Sequence, residues 1–111
     1  MTRRFHIALS CNDLAATIAD YRIRLGCEPA VVVPGEYALF RNEQINLSLR
    51  QDQTVPSGQL RHLGWEDPAA PSFTSERDAL GILWEHFTPQ AQAQEIQTTW
   101  PGTNCTKLHR D

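Results

Sequence analysis

The chain is poor in the features that announce the commoner functional classes. Its three cysteines, Cys11, Cys27 and Cys105, lie far apart with no CxxC pair. A cysteine-only zinc site needs closely spaced pairs and is excluded. An odd, dispersed count also predicts a reduced chain, and with it the cytoplasm. No run of Lys and Arg occurs, and 10 basic against 13 acidic residues leave a formal charge of -3. Phosphate backbones are held by clustered cations, so nucleic acid is not expected as a partner. No apolar run approaches the ~20 residues a membrane span needs, so neither is a membrane. The basic start, Met1 to Arg4, leads into a short strand-like run rather than a signal-peptide core. Gly-rich phosphate loops, HExxH and GxSxG are all missing.

What is there is one domain's worth of ordinary globular sequence: 111 residues, 41 % of them apolar. A chain of this size buries roughly two-thirds of its unfolded surface and needs no staples. Residues 4 to 10 alternate, with Phe5, Ile7 and Leu9 on one face of a strand and His6, Ala8 and Ser10 on the other. Asn12 and Asp13 offer a helix N-cap, Leu14, Ile18, Tyr21 and Leu25 form one apolar stripe, and Gly26 sits at the stop. Strand signals follow at Ala30 to Val33, Tyr37 to Arg41 and Ile45 to Arg50. Residues 51 to 59 are polar, with Pro56 and Gly58, and read as a linker.

The order then restarts. Leu60 to Trp65 reads as a strand carrying His62, and Ser72 is an expected N-cap for a short helix ending at Leu80-Gly81. Ile82 to Phe87 reads as a strand, Gln90 to Gln94 as a loop and Glu95 to Thr99 as extended. A turn at 100–104 precedes an expected last strand, Cys105 to His109. His6 and His62 each open a strand, and Gly26 and Gly81 follow them by 20 and 19 residues. This is the pattern of an internal duplication.

With those residues in view, the chain resembles the vicinal oxygen chelate superfamily, the glyoxalase, bleomycin-resistance and ring-cleaving dioxygenase group. FHIALSCNDLAATIADYRIRLG (5–26) is similar to that family's first strand and helix, and YALFRNEQINLSL (37–49) to its third and fourth strands. RHLGW (61–65) resembles the strand opening a second module, and WPGTNCTKL (100–108) a degraded closing turn in which Pro101 and Asn104 keep the pattern. The resemblance implies an α+β fold of two βαβββ modules, 1–50 and 60–111, forming curled mixed sheets around a central cavity. It also implies a homodimer.

In metal-using relatives each module supplies a first-strand His and a fourth-strand carboxylate, leaving open positions on a divalent ion for substrate oxygens. Carried over, His6 and His62 fall at the two histidine positions, as metal ligands, while Asn46 and Lys107 fall where carboxylates belong. A neutral amide is a poor replacement and a protonated amine repels a cation. Shifting the closing turn brings up His109. A divalent metal is therefore a possible cofactor, and a third ligand would be required. Glu85 and His86 are candidates, but they occupy opposite faces of one strand, so at most one points inward; Glu66 is a weaker candidate. A lone strand histidine is more often a hydrogen-bonded interior group than a ligand. Two at equivalent positions of a repeat raise the odds of a site.

Asn46, Trp65, Trp84, His86 and Lys107 are the expected ligand-binding set, Lys107 as an anchor for an anion or else an exposed strand-end lysine. The three tryptophans suit a flat or apolar ligand, or else simply fill the core or a dimer contact. Cys11, ahead of the helix N-terminus, has no base beside it in sequence. Three readings follow: capture of a small apolar or aromatic molecule without a full metal site, as in sequestering resistance proteins; a metal-dependent lyase, isomerase or dioxygenase with an altered His-based ligand set; or a structural or regulatory dimer whose cavity is filled by its own side chains. The catalytic residues and the substrate are not legible, because fold does not carry function.

Overall fold

A computed structural model describes residues 2–109. Strand β1 (Arg4–Cys11) leads into helix α1 (Leu14–Leu25), then β2 (Val31–Val33), β3 (Tyr37–Arg41) and β4 (Ile45–Gln51). The second half runs β5 (Leu60–Glu66), β6 (Thr74–Arg77), β7 (Leu83–Phe87), α2 (Pro89–Thr99) and a 3-10 turn at Thr106–His109. The seven strands form one open mixed sheet, ordered β2-β3-β4-β1-β5-β7-β6. The fold class is α+β, with two α-helices among the described residues.

The first half follows its local signals. The Asp13 side chain accepts the Ala16 N–H at the start of α1, and Gly26, with φ 67°, ends it by donating to the Arg22 carbonyl. The apolar stripe of α1 packs on one face of the sheet with Ala38, Phe40, Leu47 and Leu49. Tyr37 and Leu39, alternating with these on β3, face the other way and meet Ala93, Ile96, Cys105 and Leu108. β3 is thus buried on both faces, which is why its alternation is weak in sequence. The linker is pinned, since the Asn12 amide donates to the carbonyls of Asp52 and Val55.

The second half departs from expectation in three places. Where a helix from Ser72 to Leu80 was expected, the chain forms the exposed edge strand β6 and a tight hairpin into β7. Asp78 decides this: its carboxylate accepts the Leu80 and Ile82 N–H groups and the Trp84 indole N–H. Such local side-chain bonds compete with a helix. The expected loop at 90–94 and extended run at 95–99 are together α2. Thr88 caps it by accepting the Ala91 N–H, Pro89 occupies its first turn, and Ala93 and Ile96 bury one face. The helix is built from Gln and Ala, good helix formers, around only a thin apolar stripe. The expected last strand at 105–109 is the 3-10 turn, set by Asn104, which accepts the backbone and hydroxyl donors of Thr106. The second half therefore runs β-β-β-α, and one continuous sheet replaces the two sheets expected around a cavity.

Candidate metal centre

The centre lies where β1 and β5 run antiparallel in the middle of the sheet, on the face covered by α2. Ala8 pairs with His62 and His6 with Gly64, so the two histidines are related by an approximate twofold between the strands. Their Nε2 atoms approach to 2.9 Å. β7 lies parallel to β5 and places Glu85 beside Gly64. The Glu85 Oε1 is 3.1 Å from His62 Nε2. One ligand atom from each of His6, His62 and Glu85 falls within 4.8 Å of the others.

A chain of buried polar contacts orients this group from behind. Glu66 is buried and accepts from Arg4 at 2.8 Å and Arg41 at 2.7 Å. Burial pushes its carboxyl up, but the hydrogen bonds from Arg41 and Asn46 and the charge of Arg41 outweigh this and hold it below its ordinary value. Charged Glu66 can only accept, so the fully buried Asn46 amide donates to it at 2.9 Å, and to Gln92 Oε1 at 2.7 Å. The Asn46 Oδ1 is thereby turned toward His6 and takes the Nδ1–H at 2.8 Å. That bond fixes the tautomer of His6 and leaves its Nε2 as a bare lone pair facing the cavity. Burial first, and then the charge of His62, lower the His6 pKa against the opposing bonds to Asn46. Glu85 is likewise pushed up by burial and pulled down further by His62, ending below its ordinary value.

The donor set fits a divalent transition metal. Two imidazoles and one carboxylate suit zinc, iron, manganese or nickel and leave coordination positions open. His62 Nε2 faces both the His6 lone pair and the Glu85 oxygen, and the space between these three atoms is where an ion would sit.

In front of the group lies a cavity of about 60 Å³, walled by Tyr37, Arg50, Arg61, Glu95 and Trp100 among others. This is small beside the roughly 300–1,000 Å³ that drug-sized ligands occupy. Arg61 and His62 are neighbours in sequence yet both line it. Regular strands send neighbours to opposite faces. The pairing of β1 with β5 slips between Ala8 and Leu9, which meets Leu60, so Arg61 is the extra residue of a β-bulge.

Of the expected residues, the structure brings together His6 and His62 at the cavity and Asn46 directly behind His6. Between the alternatives on β7, Glu85 points inward. His86 points away and binds the Asp67 carboxylate at 2.8 Å. Trp65 and Trp84 pack against Phe5 on the opposite face, with the Arg3 guanidinium over the Trp65 ring. They do not line the cavity, because Phe5 and His6 are adjacent on β1. Lys107 is exposed on the 3-10 turn, where its carbonyl accepts from Arg41, and His109 is exposed beyond it. The carboxylate comes from β7 rather than from the chain's end, because β7, not the end of the chain, runs parallel to β5. Glu66 is the ion-paired anchor of the network and not a ligand. Gln92 and Arg61 were missed: the first lay in a stretch read as loop, the second on the wrong side by alternation. Cys11 and Cys105 are buried thiols, raised by desolvation. No protein-family model matches the chain, and no curated protein does.

Proposed function

We propose that the chain is a small glyoxalase-like metalloprotein in which His6, His62 and Glu85 hold a divalent ion. The observation that carries this reading is the convergence of the three donor atoms within 4.8 Å, with His6 oriented from behind by Asn46. Topology supports the two-module resemblance. β1 with its parallel neighbour β4, and β5 with its parallel neighbour β7, repeat one arrangement, and β6 stands to β7 as β3 does to β4. In this reading the second module has lost its helix and its second strand, and residues 67–73 bridge the gap. Glu85 lies two residues further along β7 than the register position that Asn46 holds on β4.

When bound, such an ion supplies Lewis-acid polarisation of a substrate oxygen or a low-pKa water. The chain's own residues do the rest. Asn46 holds His6 in the ligating tautomer, Glu66 holds Asn46, and α2 closes the face with Gln92. Ligation needs unprotonated imidazole and carboxylate atoms, so affinity rises with pH. Elemental analysis of tag-free protein purified without chelator tests the reading, beside His6→Ala/His62→Ala and Glu85→Gln. Near-stoichiometric metal in the parent and its loss in both variants is the expected result. Absence of metal after reloading with zinc, manganese, iron and nickel would reject it.

The second reading is capture of a small molecule without metal. Phe73, Phe87, Ile96 and Trp100 on the cavity wall favour it. The small volume restricts it to compact ligands, and a rise in melting temperature with such a ligand in metal-free protein would support it.

A further inference from the structure

The cavity holds two guanidinium groups that the metal reading does not use. Arg50 reaches it from β4 and Arg61 from the bulge in β5. Neither makes an ion pair or a side-chain hydrogen bond among the described residues, whereas Arg4, Arg22, Arg24 and Arg41 all do. Arg50 lies over the Trp100 ring at 5.4 Å, which holds its plane at the cavity wall. Arg61 is half-buried, with the charges of Glu85 and Glu95 near it but no side-chain bond to fix its guanidinium. Two carboxylates, Glu85 and Glu95, line the same cavity. Glu85 is turned to His62, and Glu95 pairs with neither arginine. The four charges cancel, so a bound divalent ion would leave the cavity with two positive charges in excess.

We propose that Arg50 and Arg61 form an oxyanion subsite, so that the ligand is a small carboxylate or phosphonate whose neighbouring oxygen reaches the ion. The inference deepens the metal reading and rests on it for the second point of attachment. Guanidinium groups suit this work because their planar donors bind two oxygens of one anion at once. The bulge is what makes the subsite. Without its extra residue Arg61 would face the opposite side of the sheet, and only His62 would look into the cavity. The cavity's size limits the ligand to a few heavy atoms beyond its anionic group.

The test is an NMR titration of the full chain, following the arginine Nε–H signals, with zinc-loaded and metal-free protein in parallel. The probes are glycolate, methylphosphonate and neutral ethylene glycol. Saturable binding of glycolate to zinc-loaded protein, weakened about tenfold or more in Arg61→Gln and in Arg50→Gln with zinc content unchanged, is the expected result. Arg61→Lys, which keeps the charge but not the fork, should fall between. Equal affinity in the variants, or equal affinity for ethylene glycol, overturns the subsite. Zinc binding with no saturable anion overturns the subsite and leaves the metal centre standing. Arg61-dependent methylphosphonate binding by a protein that takes up no zinc on loading supports the subsite and removes the metal reading.

Discussion

At the scale of single residues, one buried amide carries much of the site. Asn46 donates to Glu66 and Gln92 and accepts from His6, so all of its polar atoms are used. Asn46→Leu would remove no metal ligand but would leave the His6 Nδ1–H with only the backbone carbonyl of residue 46, at 3.1 Å, and so loosen the ring. We expect metal affinity to fall by roughly 10–100-fold, with stoichiometry retained at saturating metal. An unchanged affinity in competition with a chromogenic chelator would show that Asn46 plays no orienting part. Glu66 gives a pH prediction. Its folded pKa lies below the ordinary 4.5, so its contribution is complete above about pH 4.5 and is lost as pH falls through the folded value. Urea midpoints should therefore fall on acidification, and less steeply in Glu66→Gln. That variant itself should cost about 3–5 kcal/mol, because Arg4 and Arg41 are left buried with a weaker partner.

Among the elements, β7 is the one whose position decides whether a site exists. It reaches β5 only because Gly64 has no side chain. A Cβ there would lie 2.0 Å from the Glu85 carbonyl oxygen, which belongs to the strand backbone and cannot turn aside. Gly64→Ala should push β7 away, cost about 1–3 kcal/mol in urea unfolding and uncouple Glu85 from His62. A variant as stable as its parent, with full metal content, would count against this. The same element explains the outward tryptophans: Trp84 is tied to Asp78 of the β6–β7 turn, so it braces the hairpin rather than the cavity. The other decisive element, α2, depends on its Thr88 cap, and Thr88→Ala should cost about 1 kcal/mol.

For the whole molecule, the proposed ligands come from β1 in one half and from β5 and β7 in the other. An ion held by all three ties the halves together and binds only the folded chain. At a free metal concentration 100 times the dissociation constant the gain is about 2.7 kcal/mol. That corresponds to a rise of about 10 °C in melting temperature for a domain of this size. The rise should vanish with chelator and be absent in Glu85→Gln. An equal rise in that variant would place the ion elsewhere.

Much of the first half could be read directly from the chain. Alternation in β1, the cap at Asp13 and the stop at Gly26 are local signals, and local signals suffice where neighbours in sequence are neighbours in the fold. The pairing of His6 with His62 was legible too, through the repeat. The helix in the second half was misplaced because Asp78 bonds its own turn, and because α2 shows only a thin apolar stripe among glutamines. Arg61 could not be placed, since the bulge that turns it inward exists only in the pairing of β5 with β1. The choice of Glu85 over Lys107 likewise depended on which strand runs beside β5. Sequence by itself determined the elements of the first half and the two histidines, because periodicity and capping are written within a few residues. Tertiary structure alone decided the third candidate ligand, the orienting network and the arginine pair, because these are set by strand order and register between segments as far apart in sequence as β1 and β7.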